Sequence, residues 1–241
     1  MKENLNNKLL HQDFNRDDNR DIEPYLKTAA VYAATENAIA VFSDLKMNRS
    51  HIFYGGFGEY LGMAEKGTYR CIDTIWEDEI FSRIMPEDIQ TKQLDEIQFF
   101  DYVRHSGKAG DHFMTDQITM LDKKGSHVRV THRIFYFSDG NAIRFALCLY
   151  TPSNGEISSS ITDSVTGNSI LLQHIDTGRM LSVREKEVLK LIDEGMSSKE
   201  IASHLNISIY TVSRHRQNIL EKLRAKNSSH ACRTAKSLKL I

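Results

Sequence analysis

The sequence predicts a mixed α+β chain: an antiparallel sheet with flanking helices in front, and an all-α end behind. Three strand candidates follow one another from His112 to Tyr150, separated by turns that contain Asp and Gly. Three helix-start signals crowd into Leu181 to Leu223. Charge divides as well. From Leu171 onward the chain holds 13 Lys and Arg against 7 Asp and Glu, net +6, while the preceding residues hold 18 against 25, net −7. At 241 residues there is room for one large or two modest domains. A basic end on an acidic body suits a nucleic-acid module joined to another function.

Taken in order, residues 1–37 read as a polar segment to about Asp21, then a helix from Pro24 to Glu36. A sheet domain is expected over 38–151. It opens with strands at Ala38–Phe42 and His51–Tyr54, the second ended by Gly55-Gly56, and continues with a short helix from Phe57 to Gly62. Ile75 to Met85 reads as irregular. Pro86-Glu87-Asp88 then opens a helix to about His105, with proline and acids favourably placed in its first turn. The strands that follow are about His112–Leu121, Ser126–Phe137 and Ala142–Tyr150. In the middle one Val128, Val130, His132, Ile134 and Tyr136 alternate with Arg129, Thr131, Arg133 and Phe135. Residues 152–175 read as a linker. Either it is a flexible connector, or it holds a hairpin pairing Glu156–Ile161 with Ser169–Gln173.

The helical domain is expected over 176–241. Ser182 to Glu185 and Ser197 to Glu200 are both capping boxes, in which serine and glutamate satisfy orphan donors of the first turn. Gly195 stops the first helix and Asn206 the second, and Ser208 caps a third. On that third helix, at about 100° per residue, Ile209, Val212, Ile219, Leu220 and Leu223 share a face, with Tyr210, Arg214, Gln217 and Asn218 opposite. A cation–amide face suits a major groove, where arginine pairs with guanine and glutamine with adenine. Arg216 sits on the apolar side, so its head is expected to snorkel to a phosphate or solvent.

Those pieces resemble the LuxR-type (GerE-like) helix-turn-helix family over Leu181 to about Ile241. The matched positions are Leu181-Ser182, Arg184-Glu185, Glu187-Val188-Leu189, Gly195, Lys199-Glu200-Ile201-Ala202, Leu205, Ile207-Ser208, Thr211-Val212, His215, Ile219-Leu220 and Lys222-Leu223. The resemblance implies a fourth helix used for dimerisation, here with Ala231, Ala235 and Leu238 on its face. It also implies base contacts from Ser213, Arg214 and Gln217, although lysine is common in the family where Ser213 stands. Phosphate contacts would fall to Lys199, Thr211 and Arg216.

The element order of the front half is similar to that of a PAS domain over about Ala38 to Thr151. Tyr54 to Gly62, Met85-Pro86-Glu87-Asp88 and Lys124-Gly125 are the matching details. The full layout resembles PAS-like plus LuxR-type regulators of gut Bacteroidetes. A PAS pocket would take a small molecule or a protein input, and no cofactor is assigned. The cysteine signature of light-sensing flavin members is absent, and His105 reads as a capping residue rather than a haem ligand. Trp76 and its neighbours read as core rather than as a ligand cage. Asp17-Asp18 follows no apolar strand, so a phosphoacceptor receiver is not indicated, and neither is a lactone pocket.

Cys71, Cys148 and Cys232 lie far apart and form no metal-ligand spacing. The N-terminus lacks the apolar stretch of a signal peptide, and no window approaches the roughly twenty apolar residues of a membrane span. The chain is therefore expected in the cytoplasm, away from membranes. No phosphate loop or nucleophile–base pair points to an enzyme. The expectation is a sequence-specific regulator that binds double-stranded DNA as a homodimer. The alternative is an interaction module whose helical end serves chiefly as a dimeriser.

Overall fold

The computed structural model describes residues 2–14, 21–107, 109–139, 142–172, 181–223 and 225–237. The chain divides into two compact units, Lys2–Gln173 and His174–Ile241. It is α+β: an antiparallel sheet with helices in the first unit and helices alone in the second. Among the described residues no helix is long and apolar enough to cross a membrane.

The first unit is built on strands β1 (Ile39–Asp44), β2 (Arg49–Tyr54), β3 (Tyr69–Ile72), β4 (His112–Leu121), β5 (His127–Asp139), β6 (Ala142–Pro152), β7 (Ser160–Asp163) and β8 (Ser169–Leu171). They lie in the order β3-β2-β1-β6-β5-β4-β7-β8, every pairing antiparallel. Helices α1 (Lys2–Leu10), α2 (Glu23–Glu36), α3 (Gly56–Tyr60), α4 (Asp78–Phe81) and α5 (Pro86–Ser106) flank the sheet.

Side-chain alternation sorts the two faces. Ala40, Phe42, Phe145, Leu147 and Leu149 pack with Ala29 and Ala33 of α2. Ile134, Tyr136 and Ala146 turn the other way, against Phe99, Phe100 and Val103 of α5. Because β1 is covered on both sides it is buried along its whole length, which explains its unbroken apolar run. Gly55 serves a close approach: a Cβ there would stand 2.4 Å from the Ala33 carbonyl oxygen.

Of the two readings of residues 152–175, the hairpin is the one present, over a shorter span than expected. Three features differ from the sequence-based expectation. The hairpin does not stay apart from the sheet. Its strands β7 and β8 pair with each other, and β7 also pairs with β4, so the sheet continues to Leu171. β3 was not anticipated: its residues are mostly exposed and its four-residue edge carries no alternation to read. The segment from Ile75 to Met85, expected to be irregular, contains α4, whose Ile80 is fully buried. Gly140 and Asn141 of the turn expected after β5 lie outside the described residues. His105 is exposed at the end of α5, its ring nitrogen 2.6 Å from the Asp101 carbonyl oxygen.

The second unit holds α6 (Val183–Asp193), α7 (Ser198–Leu205), α8 (Ile209–Lys222) and α9 (Ser228–Ser237) around a core that includes Val188, Leu189, Ile201, Val212, Ile219 and Leu223. Both capping boxes are complete, Ser182 with Glu185 and Ser197 with Glu200. Gly195 and Asn206 adopt the left-handed conformation that ends a helix, with φ of 89° and 54°.

Candidate nucleic-acid interface

α8 begins where Ser208 accepts a hydrogen bond from the Thr211 N–H at 3.0 Å. Its buried side is Val212, Ile219 and, just beyond its end, Leu223. Burying each such side chain is worth about 1.5–3 kcal/mol, which fixes the rotation of the helix and hence what faces out. Ser213, Arg214 and Gln217 all face solvent, as does Tyr210 at 77%. Arg214 has no hydrogen bond or ion pair among the described residues, whereas Gln217 does have an interaction. No carboxylate stands in the first turn of α8, so the exposed row is cationic and amide in character. Ile209 corrects the expectation that it belongs to the apolar stripe. It is 48% exposed and stands outside the packed core that holds Val212 and Ile219.

The expected phosphate-contact residues are placed differently from one another. Lys199 is exposed near the start of α7. Thr211 is half-buried, its hydroxyl 2.8 Å from that of Ser208. Arg216 does snorkel, but onto hydroxyls of the protein: it donates to Ser198 at 3.2 Å and to Ser228 at 2.9 Å. It thereby ties α7, α8 and α9 together, with the rest of its five donors still unassigned to those two bonds.

The expected dimerisation face needs correction. Ala231 and Ala235 are fully buried in the same core as Val188 and Leu189 of α6, and the α9 residue Lys236 pairs with Asp193 of α6 at 2.8 Å. The third residue of that set, Leu238, lies outside the described residues.

Two residues matched in the sequence have positioning roles that the sequence reading did not assign. Arg184 donates to the Leu205 carbonyl oxygen at 2.7 Å, closing the end of α7 beside the turn, and also pairs with Glu187. Lys222 donates to Glu185 at 2.6 Å, joining the end of α8 to the start of α6. Burial pushes the Glu185 carboxyl up, but hydrogen bonds from Lys222 and Ser182 outweigh it and hold the group below its ordinary value. A carboxyl lowered in this way adds stability above its unfolded value, about 4.3, and loses it as pH falls through the lower folded value. Helix-sensitive thermal unfolding should therefore drop on acidification below that range. Glu185→Gln should be less stable at neutral pH and show a shallower acid slope. An unchanged slope would remove Glu185 from the account.

Residues 179–235 match the family model described as bacterial regulatory proteins, luxR family. The chain is 41% identical over 66 residues to the oxygen regulatory protein NreC of Staphylococcus carnosus, covering 27% of this chain and 30% of that protein. It is 34% identical over 95 residues to the response regulator protein VraR of Staphylococcus saprophyticus, covering 34% and 46%. It is 44% identical over 55 residues to the transcriptional regulatory protein FixJ of Rhizobium meliloti, covering 23% and 27%. The chain thus spans less than half the length of each of these relatives. Among solved structures, a Vibrio cholerae VqmA dimer is 17% identical, with 90% of this chain and 88% of that one covered at a TM-score of 0.27. Escherichia coli SdiA is 16% identical, with 91% and 90% covered at 0.29. Those scores are too low to bear on the arrangement.

Proposed function

From the LuxR-family helix-turn-helix domain that residues 179–235 form, we infer that the protein is a sequence-specific regulator of transcription, acting in the cytoplasm on double-stranded DNA. The reading is carried by one observation: Ser213, Arg214 and Gln217 line the solvent side of α8 while Val212 and Ile219 anchor the other. In this reading α8 enters the major groove, where Arg214 and Gln217 contact base edges beside Ser213. Lys199 and Thr211 meet phosphates. Arg216 adds a phosphate contact through donors not used on Ser198 and Ser228. A homodimer would present two such helices about ten base pairs apart to a near-palindrome, through a surface other than Ala231 and Ala235. The first unit, similar in element order to a PAS domain, would receive a small molecule or protein and alter DNA affinity.

Selection of bound duplexes from a random pool tests this reading, with enrichment of a defined motif as the expected result. If no motif is enriched even at low salt, the regulator reading fails, and an interaction module remains. On the selected site, Lys199→Ala should weaken binding to all sequences alike and reduce the slope of log affinity against log salt by about one. A sequence-dependent loss in that variant would take Lys199 off the phosphates.

A further inference from the structure

Between α5, the segment leading into α4, and the helix-covered face of the sheet lies a small cavity of about 40 Å³. Trp76, Phe81, Leu45, Ile75 and Ile134 supply apolar wall. Glu77, Lys92, Glu96 and Tyr136 also line it. All four are buried. We propose that this cavity binds a small organic monocation, a protonated amine carrying a short apolar body. The inference rests on the reading of Lys2–Gln173 as the unit that receives a signal, and it names the chemistry of that signal.

The first argument is charge. Lys92 makes its ion pair with Glu96, so the second carboxyl, Glu77, feels that ammonium but has no ion pair of its own among the described residues. Glu77 accepts from the Ser50 hydroxyl at 3.0 Å, a neutral donor. Burial pushes its carboxyl up to about 7, despite the opposing hydrogen bonds and Lys92. A buried acid short of a counter-charge either takes up a proton or accepts a cation.

The second argument is independent of charge. The Tyr136 hydroxyl is buried in the wall, 1% of the residue being exposed, and has no hydrogen-bond partner among the described residues. Buried hydroxyls in folded proteins are nearly always paired, so this one is a cost carried by the fold unless a ligand meets it. An N–H donor in the cavity could supply the hydrogen bond that the Tyr136 oxygen lacks.

The alternatives fit less well. An anion would face Glu77 and Glu96 together. A neutral molecule could satisfy Tyr136 yet leave Glu77 without its counter-charge. A cation meets both needs beside the rings of Trp76 and Phe81, whose centroids are 5.7 Å apart, the Trp76 ring already having the Lys2 ammonium at 4.9 Å. Phe81 already faces one ammonium, that of Lys92 at 5.4 Å. Trp76, read from the sequence as core alone, thus becomes part of a wall. The limited space suits a ligand of few heavy atoms.

The full chain should be titrated with propylammonium, using propanol and propionate as neutral and anionic counterparts, and followed by calorimetry and thermal unfolding. Saturable binding and a raised midpoint are expected with propylammonium alone. Glu77→Gln copies the protonated carboxyl, so it should fold, and it should bind propylammonium at least about tenfold more weakly, as loss of a buried charge partner implies. Tyr136→Phe removes an unpaired hydroxyl, so it should fold at least as stably and still bind several-fold more weakly. Equal response to the three probes, preference for propionate or propanol, or undiminished binding in both variants overturns the proposal. Should Glu77→Gln not fold, the Tyr136→Phe titration decides alone. Duplex selection without probe judges the regulator reading separately. A chain that selects a motif and ignores propylammonium sinks only the cation site, and one that binds propylammonium without selecting DNA sinks only the regulator.

Discussion

Replacing Arg214 by alanine is expected to cost about 1–3 kcal/mol of discrimination at a single guanine of the selected site. Binding to unrelated duplex should change far less, because Arg214 is assigned a base edge rather than a phosphate. Its side chain is exposed and supports nothing in the domain, so the unfolding free energy should move by no more than about 0.5 kcal/mol. That combination separates a reading residue from a folding residue. Gln217→Ala should produce a similar loss at an adenine position. Competition binding against the selected site and its single-base variants supplies the measurement. If Arg214→Ala leaves the whole preference profile intact, α8 does not lie in the groove as assigned.

Lys92→Met is expected to be the most damaging single change in the first unit, at about 3–5 kcal/mol. The ammonium is buried and paired with Glu96 one turn along α5. Burial alone would lower the Lys92 value, but Glu96 outweighs it and holds the ammonium well above its ordinary range. The sign follows directly. A lysine raised in the folded state gives its full contribution below its unfolded value and loses it only as pH climbs through the folded one, so neutral pH lies within the stable window. Removing Lys92 leaves Glu96 buried without a partner, next to a second acid, Glu77. The double variant Lys92→Met/Glu96→Leu should recover most of the loss, since replacing both charges removes the desolvation cost. Denaturant unfolding of the two variants checks this. A double variant as unstable as the single one would mean that the pair shapes the core in some way beyond charge.

Local chemistry was the most legible part of the sequence. Ser182, Glu185, Ser197 and Glu200 act within a single turn, so spacing alone was enough to read both capping boxes. Val212 and Ile219 declared the inner face of α8 through periodicity. Ile209 did not obey it, because periodicity reports direction around a helix and says nothing of where the neighbouring helices stop. Ala231 and Ala235 show a related limit. A stripe of small residues tells that something packs closely, and only the fold tells that the partner is α6 of the same chain. The charged residues of α5 were the least legible. Lys92 and Glu96 look in sequence like a solvated i,i+4 pair, yet both are buried. Their depth is set by residues distant in sequence, among them Tyr136 and Cys148 around the same cavity.

The pairing of β1 with β6 has a kinetic consequence. It joins the first strand of the sheet to one far along the chain, and within it Asp44 and Arg144, 100 residues apart, meet as a buried ion pair at 2.7 Å. The loop-closure entropy of that contact must be met before the sheet can be completed. Synthesised from its N-terminus, the first unit therefore cannot close until β6 has left the ribosome, and β1, paired early with its sequence neighbour β2, waits through that interval with its other edge open. The helical unit emerges after it, but its elements contact near neighbours in sequence, the regime of fast folding. The later unit is thus the one that should fold faster, and the wait of β1 with one edge open is the interval in which a nascent chain is most open to misassembly.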